Sequence, residues 1–300
     1  MNNSIYESKP IHSLILAFSI PAILSLLVEV LTSVVDTAFA GHLGGISEAA
    51  LTALGLLTPV LSLFTAIQAL FAVSTSILLA RHFQNKTLRD RYFLTGLICT
   101  VLVSAGVSIL ALLGMAPLLT SLGAQGEVYV LAREYLTIQL VSNVFSALGY
   151  TLTSCIRALG DPNTEMRITT GAVVVNIAGN ALFSFGFRMG VVGLAIHGTP
   201  ILPIALELFR LGIAQTMIQA LAGFTGLFVN RSLLLHGTAT SVAVWNVAQK
   251  LYTLLLMPVV GITQGVQTII AYFNGHGQSS QNQKTILITI ACTIVYGTAA

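Results

Sequence analysis

The chain has 300 residues, of which 55% are hydrophobic and 8% are charged, and its formal net charge is +3. Soluble domains carry about 25% charged residues, so this composition excludes a water-soluble globular protein and indicates a membrane protein. The Lys and Arg residues are scattered and form no basic stripe, which argues against a nucleic-acid partner. The uncharged stretches are continuously apolar, which predicts an all-α fold with several membrane-spanning helices.

Long apolar stretches predict the spans in chain order, because about 20 apolar residues cross a bilayer as a helix. Predicted spans 1 to 5 cover about residues 11–40, 46–80, 92–120, 127–157 and 165–187. Predicted spans 7 and 8 cover about 204–235 and 240–273, and a ninth begins near residue 284. The ninth reaches Ala300 before a full span is complete, so we expect a shortened chain with eight or nine spans.

The basic residues indicate the orientation of the predicted spans. If spans 1 to 5 alternate across the membrane, the basic residues near their ends fall mainly on one side: Lys9, the group within 81–91, Arg157 and Arg167. Lys and Arg are enriched in cytoplasmic loops. The pattern therefore predicts a multi-pass protein of the cell (inner) membrane with a cytoplasmic N-terminus.

Residues 189–206, which we call segment 6, are the ambiguous part of this scheme. They are uncharged and contain three Gly and two Pro, but they are only marginally long enough to cross the apolar core. Lys284 joins the cytoplasmic set only if segment 6 crosses the membrane. The sequence leaves both possibilities open and favours a crossing.

An internal repeat relates the first predicted span to the seventh. Residues 35–37 (Val-Asp-Thr) match residues 229–231 (Val-Asn-Arg), and residues 81–85 fall on residues 271–275. Repeated helical units are typical of secondary transporters. The repeat predicts an N-terminal lobe over 1–200 and a partial C-terminal lobe over 201–300.

Two carboxylates lie within the first predicted span. Glu29 and Asp36 are seven residues apart, so they lie on nearly the same helix face. A carboxylate near the bilayer centre costs roughly 2.5 to 3.5 kcal/mol, so both should face a bundle interior or a wet cavity. There they could carry H⁺ or hold Na⁺. The alternative is that they cap or bridge helices near an interface, and this alternative is stronger for Glu29 than for Asp36.

Two amides lie within the fifth predicted span. Asn176 and Asn180 are four residues apart and therefore share one helix face. Their oxygens together with a carboxylate would make a set of hard ligands suited to Na⁺. Hydrogen bonds to a neighbouring helix would explain the same spacing. The spacing alone leaves both explanations open.

No arrangement of residues indicates an enzyme. The six His residues stand singly near the ends of the predicted helices, and no nucleophile elbow, HExxH pair or phosphate loop occurs. We therefore expect no catalytic residues and no cofactor.

Several motifs together carry a resemblance to a known family. They are residues 19–22 (SIPA), 35–44 (VDTAFAGHLG), 156–162 (IRALGDP), the two Asn residues of span 5, 190–196 (GVVGLAI) and 209–213 (FRLGI). On these motifs the chain resembles the multidrug and toxic compound extrusion (MATE) transporters over essentially its whole length. The resemblance implies a MATE-like bundle of twelve helices in two lobes, of which eight or nine are present here. It also implies a central drug cleft and export by alternating access against Na⁺ or H⁺.

The resemblance also implies the site and the partners. Asp36, Asn176 and Asn180 would form the cation site of the N-terminal lobe and bind Na⁺ if sodium is the coupling ion. Thr199 would be a further ligand, although Gly198 occupies the place where relatives carry Thr. Glu29 is a possible second acid. The expected partners are the lipid bilayer and an amphipathic or cationic drug, and we expect a monomer.

Two alternatives to drug export follow from the same residues. The first is a flippase of a related family that moves a lipid-linked glycan, which would favour a wide basic cavity. The second is a truncated chain that transports nothing and acts as a remnant or as a partner of another membrane protein. The short segment 6 and the end at Ala300 favour the second alternative.

Overall fold

The computed structural model describes residues 5–41, 47–183, 201–237 and 239–299, without the side chains of some residues in these ranges, including 35–41, 175–183 and 201–207. No strand occurs within these residues, and the all-α prediction is confirmed. The helices are α1 (Ile5–Ser8), α2 (Ile11–Gly41), α3 (Ser47–Arg81), α4 (Lys86–Leu113), α5 (Met115–Ser121), α6 (Gly126–Ala158), α7 (Pro162–Phe183), α8 (Ile201–His236), α9 (Ala239–Gly275) and α10 (Ser279–Ala299).

The predicted spans correspond to these helices with two differences. Predicted span 3 is divided at Gly114, whose N–H bonds back to the Leu110 carbonyl and ends α4. Pro117 then lies in the first turn of α5, where its missing N–H leaves no helical bond unmade. The second difference is that α8 begins at Ile201, so the last six residues of segment 6 are the first turns of α8. The remainder of segment 6 lies outside the described residues.

The helices have the length and surface of membrane spans. Four candidate spans, Ile11–Leu31, Glu48–Arg81, Lys86–Leu113 and Val244–Gly275, are long and apolar enough to cross a bilayer. Large apolar side chains are exposed on the outside of the bundle, such as Leu113 at 80%, Phe228 at 74% and Ile138 at 70%. Such side chains favour hydrocarbon over water. The protein is therefore a multi-pass membrane protein in contact with lipid.

Glycines allow two pairs of helices to approach closely. α2 packs on α9, and a Cβ on Gly265 would lie 2.8 Å from the Phe18 carbonyl carbon. α3 packs on α8, and a Cβ on Gly212 would collide with the Leu70 carbonyl. Small residues at such seams let two membrane helices make close van der Waals contact.

The two seams are related by the internal repeat. Phe18 and Gly212 are separated along the chain by the same distance as Asp36 and Asn230. Leu70 and Gly265 lie on α3 and α9, the helices that contain the matching residues 81 and 271. The contact between α2 and α9 is therefore the counterpart of the contact between α8 and α3. The lobe boundary near residue 200 stays a prediction, because residues 184–200 lie outside the described part.

Candidate functional site

The predicted cation site lies on two helices that are neighbours. Asp36 is part of α2, Asn176 and Asn180 are part of α7, and α2 packs against α7. The side chains of these three residues, and the whole of Thr199, lie outside the described residues. The structure thus brings the two predicted helices together, and the ligand set itself stays a prediction.

Glu29 is the one predicted site residue whose side chain is described. It lies on α2 and is exposed. It also lies within electrostatic range of Tyr150 on α6 and of Glu165 on α7. These two neighbours place Glu29 on the side of α2 that faces other helices of the N-terminal lobe. Glu29 is therefore an exposed carboxylate on a part of α2 that is close to α6 and α7.

A buried ion pair lies next to this region. Arg157 near the end of α6 and Glu165 in the first turn of α7 are each about 95% buried, and their side chains approach to 3.9 Å. Arg157 Nη2 and Glu165 Oε1 are the atoms that this distance joins. A buried guanidinium needs partners, because an unpaired charge in a low-dielectric interior costs several kcal/mol.

Arg157 also reaches the C-terminal part of the chain. Its Nη1 donates a hydrogen bond of 3.0 Å to Oε1 of Gln264 on α9. The sequence showed Arg157 only as a topology marker and as part of the motif at 156–162. Its link to Gln264 spans 107 positions of the chain. Such a link could not be read from local spacing, although Gln264 stands out as a polar residue in an apolar helix.

The C-terminal counterpart of Asp36 is an amide with a structural role. Asn230 on α8 is 6% exposed, and its Nδ2 donates a hydrogen bond of 2.8 Å to the Gly55 carbonyl of α3. Nearby, the Thr58 hydroxyl donates to the Leu54 carbonyl over 2.8 Å, and its oxygen lies 3.4 Å from Asn246 Oδ1 on α9. These side chains line a polar cavity of about 10 Å³, together with Ser62 and Gln249. The cavity has room for about one water molecule.

The sequence model of the MatE family matches residues 21–182, which is more than half of the chain. The multidrug export protein MepA of Staphylococcus aureus (strain MRSA252) is 25% identical over 97% of this chain and 71% of its own length.

Solved structures show the same fold. An outward-facing multidrug resistance MATE family transporter of the MOP superfamily matches with a TM-score of 0.80 and 21% identity, over 100% of this chain and 73% of that chain. A MOP superfamily transporter from Pyrococcus furiosus, for which a reverse polarity of the binding pocket suggests a different function, matches with a TM-score of 0.83 and 21% identity. That match covers 97% of this chain and 71% of the other.

Proposed function

The chain belongs to the MatE family of multidrug and toxic compound extrusion (MATE) transporters, and from this membership we propose that it exports amphipathic or cationic drugs by alternating access, coupled to Na⁺ or H⁺. The observation that carries the proposal is the difference between the matching positions of α2 and α8. α2 has the carboxylate of Asp36, which can change its charge, whereas α8 has the amide of Asn230, which cannot. The ion site therefore belongs to the N-terminal lobe.

Coupling in this scheme is a difference in binding free energy. A proton or Na⁺ on Asp36 stabilises one packing of α2 against α7, and the drug stabilises the other packing. Binding of the ion and binding of the drug then weaken each other by the same factor. Asn176 and Asn180 supply amide oxygens to the ion, and Thr199 is a further candidate ligand.

Glu29 has a second role in the proposal. It is exposed between helices of the N-terminal lobe, about two turns from Asp36. A carboxylate in accessible space attracts a cationic drug and disfavours an anionic one. The distribution of Lys and Arg supports a cytoplasmic N-terminus, so Glu29 lies between Asp36 and the cytoplasmic side.

The flippase alternative finds no support in the described residues. A cavity for a lipid-linked glycan with phosphate groups would favour several interior cations. Among the described residues Arg157 is the one buried cation, and Glu165 lies beside it. The described interior is therefore close to neutral at this position.

The first test is ethidium efflux from a drug-sensitive bacterial strain that expresses the chain. We expect efflux above an empty-vector strain, and we expect Asp36→Asn to remove it, because an amide can neither carry a proton nor hold Na⁺ by charge. Asp90→Asn is the matched control, since Asp90 is an exposed Asp near the start of α4. All variants are compared at equal amounts in the membrane fraction.

Two results would contradict the proposal in different ways. Efflux by Asp36→Asn equal to that of the original chain would remove the coupling role of Asp36. No efflux by the original chain, although it accumulates in the membrane, would favour the non-transporting alternative.

A further inference from the structure

We propose that Tyr6, Arg157, Gln264 and Tyr272 form a clasp that holds α9 to the N-terminal lobe at the end of the bundle where α1 lies, and that this clasp must open in every transport cycle. The inference rests on the proposed function, because a clasp of this kind matters only in a protein whose lobes separate. On the proposed orientation, the clasp closes the cytoplasmic side.

One stripe of α9 supplies the C-terminal half of the clasp. Gln264, Thr268 and Tyr272 follow one another at intervals of four residues, so they lie along one face of the helix. Gln264 accepts the hydrogen bond from Arg157. Tyr272 is fully buried, and its hydroxyl donates to Glu7 Oε1 over 2.8 Å. The stripe therefore contacts the N-terminal lobe at both of its ends.

Tyr6 is held between the two parts of the chain. It belongs to the four-residue helix α1, yet it is only 2% exposed. Its ring stacks on Tyr272, with a centroid distance of 4.2 Å and an angle of 10° between the rings. Its hydroxyl donates a hydrogen bond of 2.9 Å to the carbonyl of Ala158, the residue after Arg157. Phe18 and Phe83 cover other parts of the same ring.

The Tyr6 hydroxyl stays a hydrogen-bond donor under physiological conditions. Burial raises the pKa of Tyr6 well above its ordinary value. The Tyr6 hydroxyl therefore stays protonated and keeps its hydrogen bond to the Ala158 carbonyl, so α1 remains attached to the end of α6. Through Tyr6, the short N-terminal helix connects α6 to α9.

The two partners of Arg157 explain how the clasp can hold α9 and also let it move away. Its two partners belong to different parts of the chain, Glu165 to α7 and Gln264 to α9. A bond from a guanidinium to a neutral amide is weaker than a bond to a carboxylate. When α9 moves away, Arg157 keeps Glu165 and loses only the weaker partner.

Glu165 has an oxygen free to replace the lost partner. Its Oε2 is buried and makes no hydrogen bond within the described part of the chain, although Ser25 of α2 lies nearby. The Arg157–Glu165 contact is a single approach of 3.9 Å, longer than the hydrogen bond to Gln264. Release of Gln264 lets Arg157 turn and engage both carboxylate oxygens, which offsets part of the cost of opening.

The test measures the distance between the two sides of the clasp in the full chain. Spin labels are placed at Thr87→Cys in the N-terminal lobe and at Ser280→Cys beside the end of α9, both of which are exposed. Cys292 is exposed and is replaced by Ser, whereas Cys99 and Cys155 are buried and therefore poorly reactive. Pulsed electron paramagnetic resonance in lipid nanodiscs, without drug, gives the populations of near and separated forms.

Two substitutions at one position should act in opposite directions. Gln264→Leu removes the acceptor for Arg157, and we expect the ratio of separated to near forms to rise about tenfold, as for the loss of a hydrogen bond to a charged group. Gln264→Glu gives Arg157 a carboxylate on α9, and we expect the ratio to fall. Gln267→Leu and Gln267→Glu are the controls, because Gln267 lies one turn away on α9 and is half-buried like Gln264.

The distance measurement tests the clasp independently of the efflux assay, which tests the proposed function. Equal distance distributions for the Gln264 and Gln267 variants would overturn the clasp, whatever the efflux assay shows. If a Gln264 variant fails to elute as a single species, Tyr6→Phe and Tyr6→Ala provide the second test. We expect Tyr6→Ala to raise the separated form strongly, because it removes the stack on Tyr272, and Tyr6→Phe to raise it less. No change in Tyr6→Ala would also overturn the clasp.

Discussion

The first long helices of the two repeated units, α2 and α8, differ at the two positions to which the proposed function assigns the ion and the drug. Counting along the repeat that matches Asp36 to Asn230 places Glu29 opposite Gly223. Thus α2 has carboxylates at two positions where α8 has an amide and a glycine. A Cβ on Gly223 would lie 3.1 Å from the Pro59 carbonyl, and Asn230 donates to the Gly55 carbonyl. The C-terminal lobe uses both positions to attach α8 to α3.

This difference concerns side-chain chemistry and leaves the helix packing similar. The seams between α2 and α9 and between α8 and α3 join corresponding pairs of helices, and each seam has a glycine in close contact with the facing backbone, Gly265 on α9 and Gly212 on α8. Their packing is therefore similar. On α2, however, Glu29 remains exposed, and the proposed function assigns it the attraction of cationic drugs. The packing follows the repeat, and the chemistry does not.

The largest expected effect on stability comes from giving α8 the carboxylate that α2 has at the matching position. In Asn230→Asp a carboxyl group would face the Gly55 carbonyl. If it stays protonated, it can still donate a hydrogen bond to that carbonyl. If it ionises, the hydrogen bond is lost and a carboxylate oxygen lies against the carbonyl oxygen. We expect a loss of about 3 kcal/mol in stability, measured as a lower midpoint of thermal unfolding in detergent. Asn274→Asp, at an exposed position of α9, is the control. An unchanged midpoint for Asn230→Asp would show that α8 tolerates an acid and that the asymmetry has another cause.

The two seams should respond alike to one added methyl group. Gly212→Ala and Gly265→Ala each force a backbone apart, and we expect a loss of about 1 to 3 kcal/mol in each case. Gly297→Ala is the control, since its Cβ would meet no atom within 4 Å. Alanine there should leave stability unchanged or raise it, because it favours the helix. A large loss at one seam only would mean that the seams are not equivalent.

The smallest effect on stability is expected at the exposed acid. Glu29→Gln should change the free energy of unfolding very little, within about 0.5 kcal/mol, because the side chain is exposed and forms no ion pair with another residue of the described part of the chain. It should nevertheless reduce efflux of cationic dyes more than efflux of neutral ones, which a panel of dyes would measure. Equal reduction for both classes would assign Glu29 to ion coupling, and no reduction would remove it from the site.

Much of the molecule follows from local features of the sequence. Apolar stretches predicted the helices, and the motifs predicted the MATE family; both predictions are confirmed. The break at Gly114 was missed, because apolar character continues across it and only Pro117 indicates a new helix start. The cation ligands Asp36, Asn176, Asn180 and Thr199 remain predictions, and so do the coupling ion, the orientation and the lobe boundary.

The sequence by itself determined which segments enter the membrane, because the free energy of transferring a helix into lipid is nearly a sum over its own residues. It also predicted an internal repeat, since matching residues recur in the same order in the two parts of the chain. Only the tertiary structure decided that Arg157 meets Gln264, that Tyr6 stacks on Tyr272 and that Asn230 holds the Gly55 carbonyl. Each of these pairs is more than 100 positions apart, so the contact depends on how whole helices pack and not on either segment alone.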